Sequence, residues 1–153
     1  MPEEEDRMPE EIEANILLVD DEEAFLKVLS QRLETRGMKV DTSTSGEAAI
    51  EKAKVKGFDA IVLDLAMPGV DGMETLKRIK NDNPDLQIIM LTGHATVDKS
   101  VEAIKEGAVD FMEKPVDLNK LLKKIEEAKN QRVLIVEKQH EEKIKDILKS
   151  KGW

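Results

Sequence analysis

The sequence predicts an α/β domain: a doubly wound, mostly parallel five-stranded sheet with helices on both faces. Three observations lead there. Five short segments, at residues 16–19, 39–42, 60–63, 87–91 and 108–112, are too short for helices and suit strands. The stretches between them are long enough for one helix each, so strand and helix alternate along the chain. The run Ile16, Leu17, Leu18, Val19 is apolar on both of its faces, which calls for helices on either side and hence for parallel strands joined by crossovers.

Taken in order, residues 1–14 carry six Glu and one Asp against a single Arg, with two Pro, and read as an acidic flexible tail. The first strand follows and ends at Asp20. Residues 23–36 place Phe25, Leu26, Leu29 and Leu33 at helical spacing, and Gly37 suits the helix C-terminus. Ser45 can cap a second helix with Ala48, Ala49 and Ile50 turned inward. A third helix is expected over 72–81, ahead of Pro84, and a fourth over 96–106, ahead of Gly107. From Leu118, the residues Leu121, Leu122, Ile125 and Ala128 keep helical periodicity, and the charged pattern continues almost to Trp153. The run Val133 to Val136 could be a short strand, but no Gly or Pro flanks it, and Ile144, Ile147 and Leu148 resume helical spacing. A long last helix is therefore expected. The chain divides into the tail 1–14, a domain over 15–128 and a charged helical extension over 129–153, whose apolar side chains can dock on the core or on a second chain.

Composition narrows the function. At 153 residues the chain has room for one core. A net charge of -9 argues against a face that neutralises phosphates, so direct nucleic-acid binding is not expected. Without Cys there are no disulfides, thiolate nucleophiles or thiolate metal sites. The acidic opening is unlike a signal peptide, and no apolar run approaches a membrane span, so a cytoplasmic protein without a membrane partner is expected.

In open parallel sheets ligands bind beyond the carboxyl ends of the strands. Asp20 and Asp21 follow the first strand, Asp64 the third and Thr92 the fourth, while Lys114 lies just past the fifth. Each residue alone has an ordinary structural reading. Together, three carboxylates at one edge repel and call for a cation to offset that repulsion. Three Asp with one Lys suggest Mg²⁺, a hard ion that bridges carboxylates to phosphoryl oxygens. Asp64 stands alone after its strand and suits a nucleophile, the Asp20–Asp21 pair suits the ion, and Lys114 with Thr92 suits the transferring phosphoryl group.

The segments LLVDDEEAF, IVLDLAMPGVDG, IIMLTGHA and FMEKP, in that order, resemble the receiver domain of two-component response regulators over about residues 15–128. The resemblance implies a flavodoxin-like, receiver-like fold and phosphorylation of Asp64 from the phosphohistidine of a sensor histidine kinase or phosphotransfer protein. It implies Mg²⁺ on Asp20, Asp21, Asp64 and the backbone carbonyl of Ala66, with Thr92 and Lys114 on the phosphoryl oxygens. Phe111 takes the place of the switch aromatic that follows the movement of Thr92, altering the face made by the fourth helix, fifth strand and fifth helix. Its other reading is a core aromatic. Pro68 and Gly69 shape the loop after Asp64, and Pro115 follows a cis bond in the resembling family. Ala66 and His94 lie where side chains tune loss of the phosphoryl group; His94 reads as a rim residue and His140 as a surface one.

The resemblance implies self-phosphorylation and autodephosphorylation without metabolite turnover, and an output through an unknown downstream protein or a homodimer. The competing readings are a phosphorylation-independent binding or dimerisation module, a hydrolase using the same Asp, and the receiver fragment of a larger transcriptional activator. A stand-alone single-domain regulator is the preferred form.

Overall fold

The computed structural model describes residues 11–93 and 95–152. Its elements are β1 (Asn15–Val19), α1 (Glu23–Thr35), β2 (Lys39–Ser43), α2 (Gly46–Val55), β3 (Ala60–Leu63), α3 (Gly72–Asp82), β4 (Ile88–Thr92), α4 (Val97–Lys105), β5 (Asp110–Glu113) and α5 (Leu118–Ser150). One sheet in the order β2-β1-β3-β4-β5 holds all five strands, and every pairing is parallel. The chain is thus a flavodoxin-like α/β fold, with the sheet order turning at β1 and β3.

The period-two alternation of the strands sorts the core into two layers. Leu17, Val19, Ile61, Leu63, Ile88 and Met90 face one way and pack with Ala49, Ile50, Leu76, Ile79 and Ala103 of α2, α3 and α4. Ile16, Leu18, Ala60, Val62, Ile89 and Leu91 face the other way, onto Leu26, Leu29 and Leu33 of α1 and Leu121, Leu122 and Ile125 of α5. The central strands are apolar on both faces because both faces are covered.

The helices begin where a side chain can satisfy the first free amides. Ser45 accepts from the Ala48 N–H, Asp71 from Glu74, Thr96 from Lys99 and Asp117 from Lys120. Gly37, at φ 92°, and Gly107, at φ 110°, take left-handed conformations after α1 and α4, where a side chain would be strained. After Gly107 the turn continues: the Ala108 N–H donates to the Ala103 carbonyl. Strand β5 therefore starts at Asp110 rather than at 108. Thr92 is the last residue of β4, not the first beyond it.

Two segments lie at the margins. Ile12 donates its N–H to the Arg36 carbonyl and packs against the α1/α5 layer, and Ala14 is buried, so the chain engages the body before Asn15. Residues 1–10, His94 and Trp153, on which expectations were placed above, lie outside the described residues. At the other end, α5 runs unbroken through Val133–Val136 as helix, not strand. Its burial stops at Ala128. Just beyond, Arg132 reaches Asp59 at 3.4 Å and Asp85 at 3.8 Å, at the amino ends of β3 and β4, and Lys129 donates to the Glu13 carbonyl. From Val133 onward α5 stands clear of the body. No helix among the described residues is long and apolar enough to cross a membrane.

Candidate functional site

The carboxyl edge of the sheet gathers the polar residues that its apolar strands exclude. Asp20 leaves β1 with its N–H donating to the Ser43 carbonyl, and Asp64 leaves β3 with its N–H donating to the Val19 carbonyl. Those backbone bonds fix both carboxylates at the rim. Asp20 is 2% exposed and Asp64 4%, whereas Asp21 faces solvent. One carboxylate oxygen from each of Asp20, Asp21 and Asp64 lies within 4.8 Å of the others.

Lys114 closes the cluster. Its N–H donates to the Thr92 carbonyl, tying the end of β5 to β4, and the Lys114–Pro115 peptide is cis. Its ammonium lies 2.6 Å from Asp20 Oδ2, 3.4 Å from Glu22 Oε1 and 3.9 Å from Asp64 Oδ2. Burial pulls this ammonium down, but its hydrogen bond to Asp20 and the charges of Asp20, Asp64 and Glu22 outweigh burial, and its pKa is raised. For Asp20 burial dominates and pushes the carboxyl above the usual carboxylate range. The Lys114 and Glu22 N–H hydrogen bonds oppose that rise, and the neighbouring Asp64 charge adds to it.

This imbalance tests whether the residues fit a divalent cation. Among the described residues four carboxylates, counting Glu22, share one ammonium, so the cluster keeps a surplus of negative charge in a partly desolvated place. Its donors are hard oxygens. Both features fit Mg²⁺.

The expected residues Asp20, Asp21, Asp64 and Lys114 are brought together. Thr92 is fully buried at the end of β4. The Ala66 N–H lies 3.4 Å from Asp64 Oδ1, so the loop after β3 wraps the carboxylate. Phe111 sits on β5 opposite Met90, half-buried against the α2/α3/α4 layer. His140 lies far along α5, away from this edge.

Three features were missed. Glu22 joins Lys114, but in the run Asp20-Asp21-Glu22-Glu23 nothing marks which acid turns inward. The Phe25 ring lies 4.1 Å from the Lys114 ammonium, a cation–π contact that helical spacing had assigned to the core alone. Gly72 opens α3 hard against the backbone that leaves β3: a Cβ there would come within 2.0 Å of the Asp64 carbonyl and 2.5 Å of Leu65 Cα. A glycine at the head of a helix, eight residues after the isolated Asp, was the available signal.

Residues 16–126 match the response regulator receiver domain family. The chain belongs to that family. It is the receiver domain of two-component response regulators, and its relatives are larger transcriptional regulators. Transcriptional regulatory protein ZraR of Klebsiella oxytoca is 39% identical over 116 residues, which are 76% of this chain and 26% of that protein. C4-dicarboxylate transport transcriptional regulatory protein DctD of Pseudomonas aeruginosa is 35% identical over 130 residues, 84% of this chain and 28% of its own length. The receiver thus spans about a quarter of these curated relatives. Among solved structures, a CheY-like receiver from Methanospirillum hungatei JF-1 is 31% identical with a TM-score of 0.74, covering 77% of this chain and 94% of its own. The beryllofluoride-activated NtrC4 receiver domain dimer is 41% identical with a TM-score of 0.73, covering 77% and 98%.

Proposed function

We propose that this receiver accepts a phosphoryl group on Asp64 from the phosphohistidine of a sensor histidine kinase or phosphotransfer protein, in a Mg²⁺-dependent reaction. The observation that carries this reading is the buried Asp64 carboxylate, held within 4.8 Å of the Asp20 and Asp21 oxygens and 3.9 Å from the Lys114 ammonium. Asp20, Asp21, Asp64 and the Ala66 carbonyl would hold the ion, which when bound offsets the charge of carboxylates and phosphoryl oxygens alike.

The chain's own residues supply the rest. An Asp64 carboxylate oxygen forms the new P–O bond as the P–N bond of the phosphohistidine breaks, and the departing imidazole keeps the electron pair. Lys114 and the Thr92 hydroxyl donate to equatorial phosphoryl oxygens. Lys114 now lies nearer Asp20 than Asp64, so engagement requires a short swing of its ammonium as Asp20 is neutralised. Attack of water on phosphorus returns Asp64. No metabolite is turned over.

Thr92 and Phe111 form the switch: movement of the hydroxyl toward the phosphoryl group draws the half-buried ring inward and reshapes the α4-β5-α5 face, which meets a downstream protein. Residues 15–128 act as the receiver unit and 129–153 as its helical extension, a division supported by the end of α5 burial at Ala128. The regulatory relatives favour an output in transcription, exercised through a protein contact, since this acidic chain is ill suited to DNA. A cytoplasmic setting follows from a kinase partner that uses ATP.

Incubation with a small-molecule phosphodonor, with and without Mg²⁺, tests the reading by intact mass. One phosphoryl group is expected on the wild type in Mg²⁺, with none in chelator and none on Asp64→Asn. Labelling of the variant would remove Asp64 from its role, and an unlabelled wild type would favour the phosphorylation-independent binding module. Fluorophenylalanine NMR reads the switch, because the chain holds three Phe. The resonance lost in Phe111→Leu should be the one that shifts most on labelling.

A further inference from the structure

The head of α1 builds a seat for the Lys114 ammonium. Glu22 precedes that helix and Phe25 follows three residues later, so the two side chains stand together at its first turn. The Glu22 N–H holds Asp20 Oδ1 at 2.9 Å, which leaves Asp20 Oδ2 for the ammonium at 2.6 Å. The Glu22 carboxylate makes no capping bond to its own helix and lies 3.4 Å from the ammonium instead. The Phe25 ring, half-buried against the α1/α5 layer, has its centroid 4.1 Å from the same nitrogen.

Asp64 Oδ2 is 3.9 Å away, beyond hydrogen-bond reach. The ammonium is thus drawn to the α1 side of the rim, whereas a phosphoryl group on Asp64 needs it on the other. Asp20 is among the expected ion ligands, so its pull on Lys114 falls once its charge is offset. Phe25 and Glu22 are not among them, and their hold does not depend on the ion. The ring is the stronger of the two. The Glu22 side chain is 67% exposed and water screens its attraction. The Lys114 side chain is only 14% exposed, and a cation–π contact strengthens as its cation is desolvated.

We propose that Phe25, assisted by Glu22, is a positioning residue that keeps Lys114 in a resting seat, from which the lysine must be drawn before it can serve the phosphoryl group on Asp64. The seat rests on the ring geometry alone; its effect on the rate of phosphorylation rests on the Asp64 reading above. Phe25 touches neither the donor nor Asp64 and acts only through Lys114.

The seat is read first, in the ion-free full chain, by proton NMR of the lysine side chains. The Lys114 Hε resonance, identified by its loss in Lys114→Arg, should lie upfield of the other lysines because it sits over the ring. Beryllofluoride with Mg²⁺, a phosphoryl mimic, should return it to the ordinary lysine position in the wild type and leave it upfield in Asp64→Asn. An ordinary position in the ion-free protein overturns the proposal, as does an upfield position that persists when the mimic is bound.

The rate is read with acetyl phosphate and Mg²⁺ by intact mass; an Asp64 oxygen attacks phosphorus and acetate leaves. Phe25→Leu should speed initial labelling by about fivefold, the scale of one lost cation–π contact. A trifluorinated phenylalanine in place of Phe25 alone keeps the shape of the ring but strips the negative charge from its face, and should give the same gain. Phe25→Tyr keeps the face and should label at the wild-type rate, and Glu22→Gln should gain no more than about twofold. A gain in Phe25→Leu without one in the fluorinated chain assigns the effect to packing and overturns the proposal, as do equal rates throughout. If every chain stays unlabelled, the Asp64 reading fails instead, and the ion-free resonance decides the seat by itself.

Discussion

The carboxyl edge of the sheet and the far half of α5 depart from the usual burial pattern in opposite directions. At the edge, Asp20 and Asp64 are ionisable yet almost wholly buried; along α5, Val133, Val136, Ile144 and Ile147 are apolar yet exposed. Neither departure stabilises an isolated chain. The first keeps surplus negative charge out of water, and the second leaves apolar area in it. The first makes sense as half of a contact. On the function proposed above, a hard cation and a phosphoryl group would complete the edge. The near half of α5, with Leu121, Leu122 and Ile125 sealed against the sheet, shows the same helix where its contact is already made.

The sharpest way to break this contrast is along α5 itself. Ile125→Ala should cost about 3 kcal/mol of unfolding free energy because it opens a cavity in a closed layer. Ile147→Ala, measured at low micromolar concentration, should cost less than about 0.5 kcal/mol. Chemical denaturation followed by circular dichroism checks both, and equal costs would mean that the far half is packed after all.

At the edge, Lys114→Ala should destabilise the metal-free protein by about 2 kcal/mol, since Asp20 and Asp64 lose their one ammonium. Added Mg²⁺ should recover part of that loss in thermal unfolding. The opposite substitution sharpens the point. Burial raises the Asp20 pKa, so its ionised form weakens the fold above that pKa, and Asp20→Asn should leave the metal-free protein unchanged or about 1 kcal/mol more stable. The variant should also lose most of its Mg²⁺-induced rise in Tm and its Mg²⁺-dependent labelling. A large destabilisation would show that Asp20 is there for the fold.

The smallest effect belongs to an ordinary surface pair. The hydrogen bond from Lys52 holds the Asp41 carboxyl below its usual range, with burial opposing it. A depressed carboxyl pKa contributes stability above the unfolded value, near pH 4, and that contribution disappears as pH falls through the folded value. Asp41→Asn should therefore cost a few tenths of a kcal/mol at neutral pH, after solvent screening of this half-exposed pair, and nothing at strongly acidic pH. Denaturation midpoints against pH give the test.

How far the chain could be read before its structure depended on where the information lay. The four-residue apolar run ending at Asp20, the isolated Asp64 after Leu63 and the unbroken charged pattern after Leu118 are local, and each located its element within a residue or two. The start of β5 was not local. Ala108 resembles a strand residue, but the left-handed Gly107 carries the turn through it, bonding Ala108 back to Ala103. The contacts of Glu22 and Phe25 with Lys114 join residues about ninety positions apart, and only the folded sheet decides which acid and which ring face the lysine. Gly72 needed the position of the Asp64 carbonyl before its missing side chain could be understood.

The arginine where α5 leaves the body has a mechanical consequence. Arg132 grips Asp59 and Asp85 at the lower ends of β3 and β4, the two strands whose upper ends deliver Asp64 and Thr92. It is a fulcrum. The arm beyond it, to Ser150, is about 27 Å long, so a tilt of about 5° at the fulcrum displaces the tip by about 2 Å at that length. A sub-ångström adjustment beneath the sheet would thereby become about 2 Å at the far end of the rod.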